Sequence, residues 1–222
     1  MALVDQVRQL FLPGACAACG SWGESPLCSG CARAVTWIAP PLCSRCGAPR
    51  GGARCRWCPA LDAVIDRARS ACVYAGTARD AVKAFKLLGE RRTARRFVRA
   101  MVEPAASLGG DLVTWVPSTR ASESARGFNP AEELARPLAR SLRLPCRRLL
   151  TKQRETRDSA GLSRDERRAN LYEAFAAKGP IRGHILVVDD ILTTGATAAE
   201  CARALKRKGA EKVAVVTFAR AL

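Results

Sequence analysis

Four Cys-x-x-Cys pairs crowded into the first 58 residues constrain the folding of this chain more than any other feature. Cys16/Cys19, Cys28/Cys31, Cys43/Cys46 and Cys55/Cys58 form two quartets, each with eight residues between its pairs. A Cys-x-x-Cys knuckle presents two thiolates from one tight turn, and two knuckles complete a tetrahedral zinc site. Gly20 and Gly47 directly follow two of the knuckles, where freedom to take positive φ eases the turn. Eight residues suffice for a hairpin, so sequential pairing predicts two zinc ions, at 16/19/28/31 and at 43/46/55/58. Interleaved pairing satisfies the same spacing. All-cysteine sites leave no open position for a catalytic water, so both ions are expected to be structural. A reducing cytosol disfavours a disulfide or redox role. The isolated Cys72, Cys146 and Cys201 read as buried thiols.

Beyond residue 60 the texture changes from short Gly/Pro/Cys-punctuated pieces to alternating apolar strands and amphipathic helices. That alternation predicts an α/β fold, a doubly wound and mostly parallel sheet over residues 61–222, behind a zinc-ribbon module over residues 1–60. Strands are expected at Arg67–Tyr74, Leu112–Val116, Ile185–Val188 and Lys212–Phe218. Helices are expected at Thr77–Leu88, Thr93–Ala106, Asn129–Arg143 and Thr197–Lys208, with a turn at Gly89. Ser118–Gly127 reads as a polar loop and Lys152–Gly161 as a mobile one. Ser163-x-x-Glu166 resembles a capping box opening a helix to Asn170. Met1–Leu12 reads as a short amphipathic helix without the continuous apolar core of a secretion signal. No apolar run is long enough to span a bilayer, and a cytoplasmic location is expected.

The net charge is +17, from 37 basic and 20 acidic residues. Such an excess suits a polyanion: nucleic acid, a phosphorylated ligand or an anionic membrane surface. Thirty of the basic residues are arginine, which fits both a GC-rich genome and phosphate recognition by the guanidinium fork. Arg45, Arg50, Arg54 and Arg56 surround the second quartet beside Trp57. They are candidates for gripping a nucleic-acid strand by phosphate contact and base stacking. The bland reading is a solvated basic rim with Trp57 packed on the main domain.

The segment His184–Thr197 carries the chemistry. An apolar strand delivers two adjacent carboxylates, Asp189 and Asp190, and the turn Thr193-Thr194-Gly195-Ala196-Thr197 then opens into a helix. Ligands bind at the carboxyl ends of such strands. The turn amides, the helix N-terminus and the threonine hydroxyls converge on an anion. The pattern differs from a Walker loop and from GxGxxG. His184, the only histidine, opens a strand and offers no Ser-His or Cys-His pair.

Val187–Glu200 resembles the phosphoribosyl-pyrophosphate (PRPP) motif of type I phosphoribosyltransferases. The whole chain resembles the ComF competence-protein family, which joins zinc ribbons to that fold. The resemblance runs through Phe11–Cys16, the quartets, Ala84–Gly89, Arg126-Gly-Phe-Asn129, Gly161-Leu-Ser163 with Arg167 and Asn170, and the PRPP loop. It implies that Asp189 and Asp190 are the catalytic, ribose-binding pair and that Thr193–Thr197 cradle the 5′-phosphate with magnesium. Pro117–Gly127 then corresponds to the pyrophosphate loop, with Arg120 and Arg126 as clamps, and Lys152–Gly161 to the segment closing over the site. It implies a role in natural transformation, with single-stranded DNA, the uptake helicase and DNA-processing proteins as partners. The alternatives are a working phosphoribosyltransferase acting on an unidentified acceptor and a PRPP-sensing regulator. The chain departs from the family at Ser118–Ala125, where a basic, His-containing stretch is usual, and at Pro130 and Ser159, where glutamine is usual. Thr193 stands where purine-salvage relatives place an acidic base. These departures thin the pyrophosphate grip and favour binding over turnover.

Overall fold

The computed structural model describes residues 15–22, 27–50, 55–88, 91–153 and 173–222. The expected elements at Met1–Leu12 and Ser163–Asn170 and the turn at Gly89 lie outside them, as does nearly all of Lys152–Gly161.

Four strands form one parallel sheet: β1 (Arg67–Val73), β2 (Leu112–Trp115), β5 (His184–Leu192) and β6 (Lys212–Arg220), in the order β1-β6-β5-β2. Apolar, largely β-branched runs place Ile185–Val188 and Val213–Val216 fully inside, as strands covered on both faces require. Helices α3 (Arg91–Ala106) and α5 (Pro130–Leu142) pack together and on the sheet, while α6 (Ala196–Arg207) packs on β6 and on a small antiparallel pair. That pair, β3 (Leu150–Lys152) with β4 (Phe175–Ala177), was not legible as strand, because each member is only three residues long. Helix α2 (Gly76–Leu88) follows β1, and a one-and-a-half-turn helix α1 (Ser29–Ala34) lies inside the first quartet. Phe97 stacks on Phe218 at 3.7 Å between centroids and meets Phe85 edge-on at 5.4 Å, tying α2, α3 and β6 into one core.

The polar stretch Ser118–Gly127 is not a loop throughout. It holds a helix, α4 (Arg120–Arg126), started by the Thr119 hydroxyl accepting from the Ser122 amide and closed at Gly127 in the left-handed region. Serine-rich composition hides it. The information lies in the caps, a threonine before and a glycine after, rather than in apolar period.

Both outer edges of the sheet are covered. The strand-like segment around Trp37 pairs with β1, Ile38 donating to Ala71 and Val73 donating to Thr36, each at 2.9 Å. On the far side Val113 donates to Pro145 and accepts from Arg147. No strand edge of this sheet among the described residues is left to recruit another chain.

Candidate functional site

At the carboxyl end of β5, Asp189 and Asp190 open onto a cavity of ≈ 350 Å³. Its cations are Lys86 from the end of α2, Arg126 from the end of α4 and Lys152 from β3. Asn129, Pro130 and Ala131 supply the first turn of α5, and Thr197 the first turn of α6. Asp190 is 5% exposed and its Oδ2 lies 2.8 Å from the Lys86 ammonium, its one ionic partner among the described residues. Burial opposes the charge on Lys86, but the Asp190 carboxylate, helped by Asp189, lifts its pKa above the usual lysine value. Asp189 is half-buried and lines the cavity beside it. That burial, with the charge of Asp190 beside it, pushes its carboxyl well above the ordinary range, against the pull of Lys86. Three cations against two carboxylates, one of them reluctant to ionise, make an electropositive basin suited to a phosphorylated ligand that also presents hydroxyl groups.

The turn before α6 divides between two faces. Thr197 lines the Asp189–Asp190 cavity, whereas Thr194, Gly195 and Ala196 line a second cavity of ≈ 400 Å³ beneath Cys58, Pro59 and Leu61 of the ribbon. Thr193 is exposed. Gly195 takes φ +76°, which allows the tight entry into α6, and it brings no side-chain cap of its own. Arg126 lines the Asp189–Asp190 cavity. Arg120 does not line it: it begins α4, one and a half turns away, and is exposed. Sequence reasoning missed Lys86, Lys152 and Asn129. Lys86 had a signal in the Ala84-Phe-Lys86 segment but no motif of its own. Asn129 caps α5 by accepting from Ala131 and Glu132 and donates to the Val116 carbonyl, so it locks the strand end to the helix that walls the cavity.

The cysteines assemble sequentially. The sulfurs of Cys16, Cys19, Cys28 and Cys31 lie within 4.8 Å of one another, as do those of Cys43, Cys46, Cys55 and Cys58. Observed separations of 3.3 to 3.8 Å are close to the edge of a zinc tetrathiolate tetrahedron, about 3.8 Å for Zn–S bonds of about 2.3 Å. The amides of Cys28 and Cys31 donate to the sulfurs of Cys16 and Cys28, as knuckle amides do to metal-bound thiolates. Thiol acidities are split within each quartet. Cys19 is drawn down to about 6 by the Ser21 hydroxyl and amide. Burial works against Cys43, yet the Cys46 amide and the Cys58 thiol draw it down to about 6. Burial and the neighbouring thiols push Cys58 up to about 12. Four sulfurs this close cannot all ionise without a cation among them.

The second quartet is also matched in charge by its surroundings. A zinc tetrathiolate carries a formal charge of about −2, and two guanidiniums, Arg69 and Arg220, are buried beside this one. Arg69 donates to the Ser44 and Arg45 carbonyls and Arg220 to the Cys46 carbonyl, while Nε of Arg220 is buried with no hydrogen-bond partner. The nearby Cys43 and Cys46 sulfurs favour the charge on Arg69, and the net negative charge of a bound zinc tetrathiolate would do the same. Gly47, at φ +68°, closes the knuckle where it meets β1: an added Cβ would lie 2.5 Å from the Ala68 carbonyl oxygen. Gly20 has φ +74° and open space around it. Gly47→Ala is therefore expected to lower the melting temperature well beyond Gly20→Ala. The latter carries only the left-handed penalty of about 1–2 kcal/mol, or very roughly 2–8 °C for a domain of this size. Equal melting temperatures for the two variants would refute the close-approach argument.

The ribbon arginines do not share one role. Nη2 of Arg45 is spent on the carbonyls of Leu61, Asp62 and Ile65, at 2.8 to 3.3 Å, and so holds the ribbon to the chain leaving it. Arg56 is exposed with its guanidinium 4.9 Å from the Trp57 ring centroid, and Trp57 packs partly against the core. Arg50 is exposed, and Arg54 lies outside the described residues. Among the described residues the most exposed aromatics are Trp22 and Trp37 instead, at 58% and 46%.

Residues 7–62 match the double zinc ribbon domain family and residues 125–222 the phosphoribosyl transferase domain family. Among similar proteins, "DNA utilization protein YhgH" of Escherichia coli O157:H7 is 39% identical over 116 residues, 50% of this chain and 50% of that protein. "Competence protein F" of Haemophilus influenzae is 35% identical over 102 residues, 43% of this chain and 44% of that protein. The chain thus spans about half the length of the curated relatives it matches. Among solved structures, a purine phosphoribosyltransferase from Pyrococcus horikoshii aligns with a TM-score of 0.34 at 13% identity, over 57% of this chain and 72% of that one. No helix among the described residues is long and apolar enough to cross a membrane. The chain thus carries a double zinc ribbon match ahead of a phosphoribosyl transferase domain match, and over about half its length it is similar to proteins named for DNA utilization and competence.

Proposed function

We propose that the chain is a ComF-type protein of DNA uptake whose Asp189–Asp190 cavity binds PRPP or a related ribose phosphate with magnesium, and which handles single-stranded DNA. The observation that carries the ligand half is the cavity itself: two adjacent carboxylates at a strand end, ringed by Lys86, Arg126 and Lys152, beside the first turn of α6. The carboxylates would accept hydrogen bonds from ribose hydroxyls or hold magnesium, while the cations and the α6 N-terminus take the phosphates. Zinc at the two quartets is structural in this reading. The DNA half draws on the net charge of +17 and on relatives named for competence and DNA utilization. The departures at Ser118–Ala125 and Thr193 favour binding over turnover.

Calorimetric titration of the zinc-loaded chain with PRPP, with and without magnesium, tests the pocket. Hydrogen bonds to a charged group contribute about 1.5–3 kcal/mol. Asp190→Ala is therefore expected to weaken binding about 10- to 100-fold, and Gly195→Trp, whose side chain would push against Leu61 and Leu192 behind the turn, to abolish it by displacing Thr197 from the cavity. Unchanged affinity in both variants would remove the loop and its carboxylates as the ligand site. Pyrophosphate release in the same samples would establish the rival reading, an active transferase.

A further inference from the structure

We infer that the groove between α3 and α5 is the track for a single-stranded nucleic-acid backbone. The inference rests on the DNA half of the proposed function and gives it a surface. The groove, ≈ 320 Å³, is lined by Ala94, Arg95, Glu133, Arg136, Pro137 and Arg140: three guanidiniums against one carboxylate. Arg136 is already set in place. Its Nε and Nη2 meet the Glu132 carboxylate at 2.8 and 2.6 Å, and its plane lies 5.2 Å over the Trp115 ring. Arg95 and Arg140 are exposed, and among the described residues neither has a carboxylate within 4.0 Å. An outer ring of exposed arginines continues the patch: Arg99 one turn along α3, Arg143 at the end of α5, and Arg147 and Arg148 beyond it.

Charge bookkeeping favours this face over the ribbons. The groove and its rim gather the seven arginines just named, of which Arg136 is paired with Glu132 and Arg148 lies 4.0 Å from Glu123, whereas the whole of residues 1–60 holds six arginines and two carboxylates. One of those ribbon arginines, Arg45, is already spent on main-chain carbonyls. The shape favours a single strand. Packed helices have axes about 8–10 Å apart, so the furrow over their contact is much narrower than a duplex, and guanidinium planes can stack on unpaired bases. The position also connects the two halves of the function. The first turn of α5 walls the ligand cavity, and Arg140 stands ten residues further along the same helix, about 15 Å at 1.5 Å per residue.

The test is fluorescence anisotropy of a labelled oligothymidylate with the full zinc-loaded chain across a salt series. Wild type is compared with Arg95→Gln/Arg140→Gln and with the ribbon variant Arg50→Ala/Arg56→Ala. The substituted side chains are exposed, so melting temperature and PRPP affinity serve as controls and should not move. Each phosphate contact contributes about 0.7 to the salt slope of single-strand binding. The groove variant should therefore bind at least about tenfold more weakly, with a slope shallower by about 1.4, while the ribbon variant stays near wild type. A groove variant with wild-type affinity and slope would overturn the assignment, as would a loss confined to the ribbon variant. Wild type that fails to bind DNA at low salt would instead sink the DNA half of the proposed function, and the groove with it.

Discussion

Cys46→Ser should yield little soluble protein, and what survives should hold one zinc and melt far below wild type; Cys19→Ser should stay folded while leaking its metal. The contrast follows from where each quartet sits. Cys43 and Cys46 are buried, at 7% and 0% exposure, whereas Cys19 is exposed. The second quartet is bonded into the sheet: Ala68 donates to the Arg45 carbonyl at 2.8 Å, Arg220 donates to the Cys46 carbonyl, and Arg69 to the Ser44 carbonyl. Apparent zinc-binding energies of such sites reach about 10–16 kcal/mol, as much as the whole stability of a typical domain, about 5–15 kcal/mol. Losing the metal there also leaves two buried guanidiniums without a counter-charge, a further penalty of several kcal/mol. A chelator titration should accordingly show two phases, a fast one from the first quartet and a slow one limited by unfolding. Metal analysis gives the stoichiometry, and thermal melts give the stability. Cys46→Ser protein that is soluble, carries two zinc ions and melts like wild type would refute the arrangement.

How much was legible depended on whether the information was local. The four Cys-x-x-Cys spacings give the quartets because a knuckle's ligands lie three residues apart, and the short link between knuckles favours sequential assembly. β5 and β6 announce themselves because strands buried on both faces read as apolar runs. α5 announces itself through Ala131, Leu134, Ala135 and Leu138 on one face, all buried. α4 was missed because a seven-residue helix is specified by its caps and contributes no buried residue. β3 and β4 were missed because three-residue strands carry no period, and their pairing joins segments more than twenty residues apart. Within the site, the motif residues Asp189, Asp190, Thr197 and Arg126 come together as expected, but the lysines that set their electrostatics come from elsewhere. Lys86 reaches Asp190 from across about a hundred residues of sequence, a juxtaposition that only the parallel topology creates. Arg69 and Arg220 look in sequence like the last charges on two strands. They become counter-charges for the second quartet only once β1 and β6 lie side by side.

The same long-range electrostatics set up the second large effect: Asp189→Asn should make the empty protein more stable while destroying its ligand binding. Burial and Asp190 raise the Asp189 carboxyl in the folded state above its unfolded value. A group shifted upward stabilises the fold fully below its unfolded pKa, about 3.9, and that contribution is lost as pH rises through the folded pKa. Once ionised, Asp189 therefore works against folding, held beside the Asp190 carboxylate and partly offset by Lys86. Asparagine removes that repulsion and keeps the shape. The variant should melt several degrees above wild type at pH 8, with the gap closing as the pH is lowered and Asp189 takes up its proton. Lys86→Met should move the other way, since it strips the buried Asp190 of its ionic partner. With PRPP and magnesium added, the order should invert: wild type gains stability on binding, and Asp189→Asn gains little because an acceptor for the ribose or the cation is gone. Such a site keeps its charge for function at a cost in stability. Paired thermal melts at pH 5 and pH 8, with and without ligand, decide it. An Asp189→Asn protein that melts at or below wild type at pH 8 would show that the carboxylate pair is not held under strain. One that still binds PRPP with wild-type affinity would take Asp189 out of the ligand site.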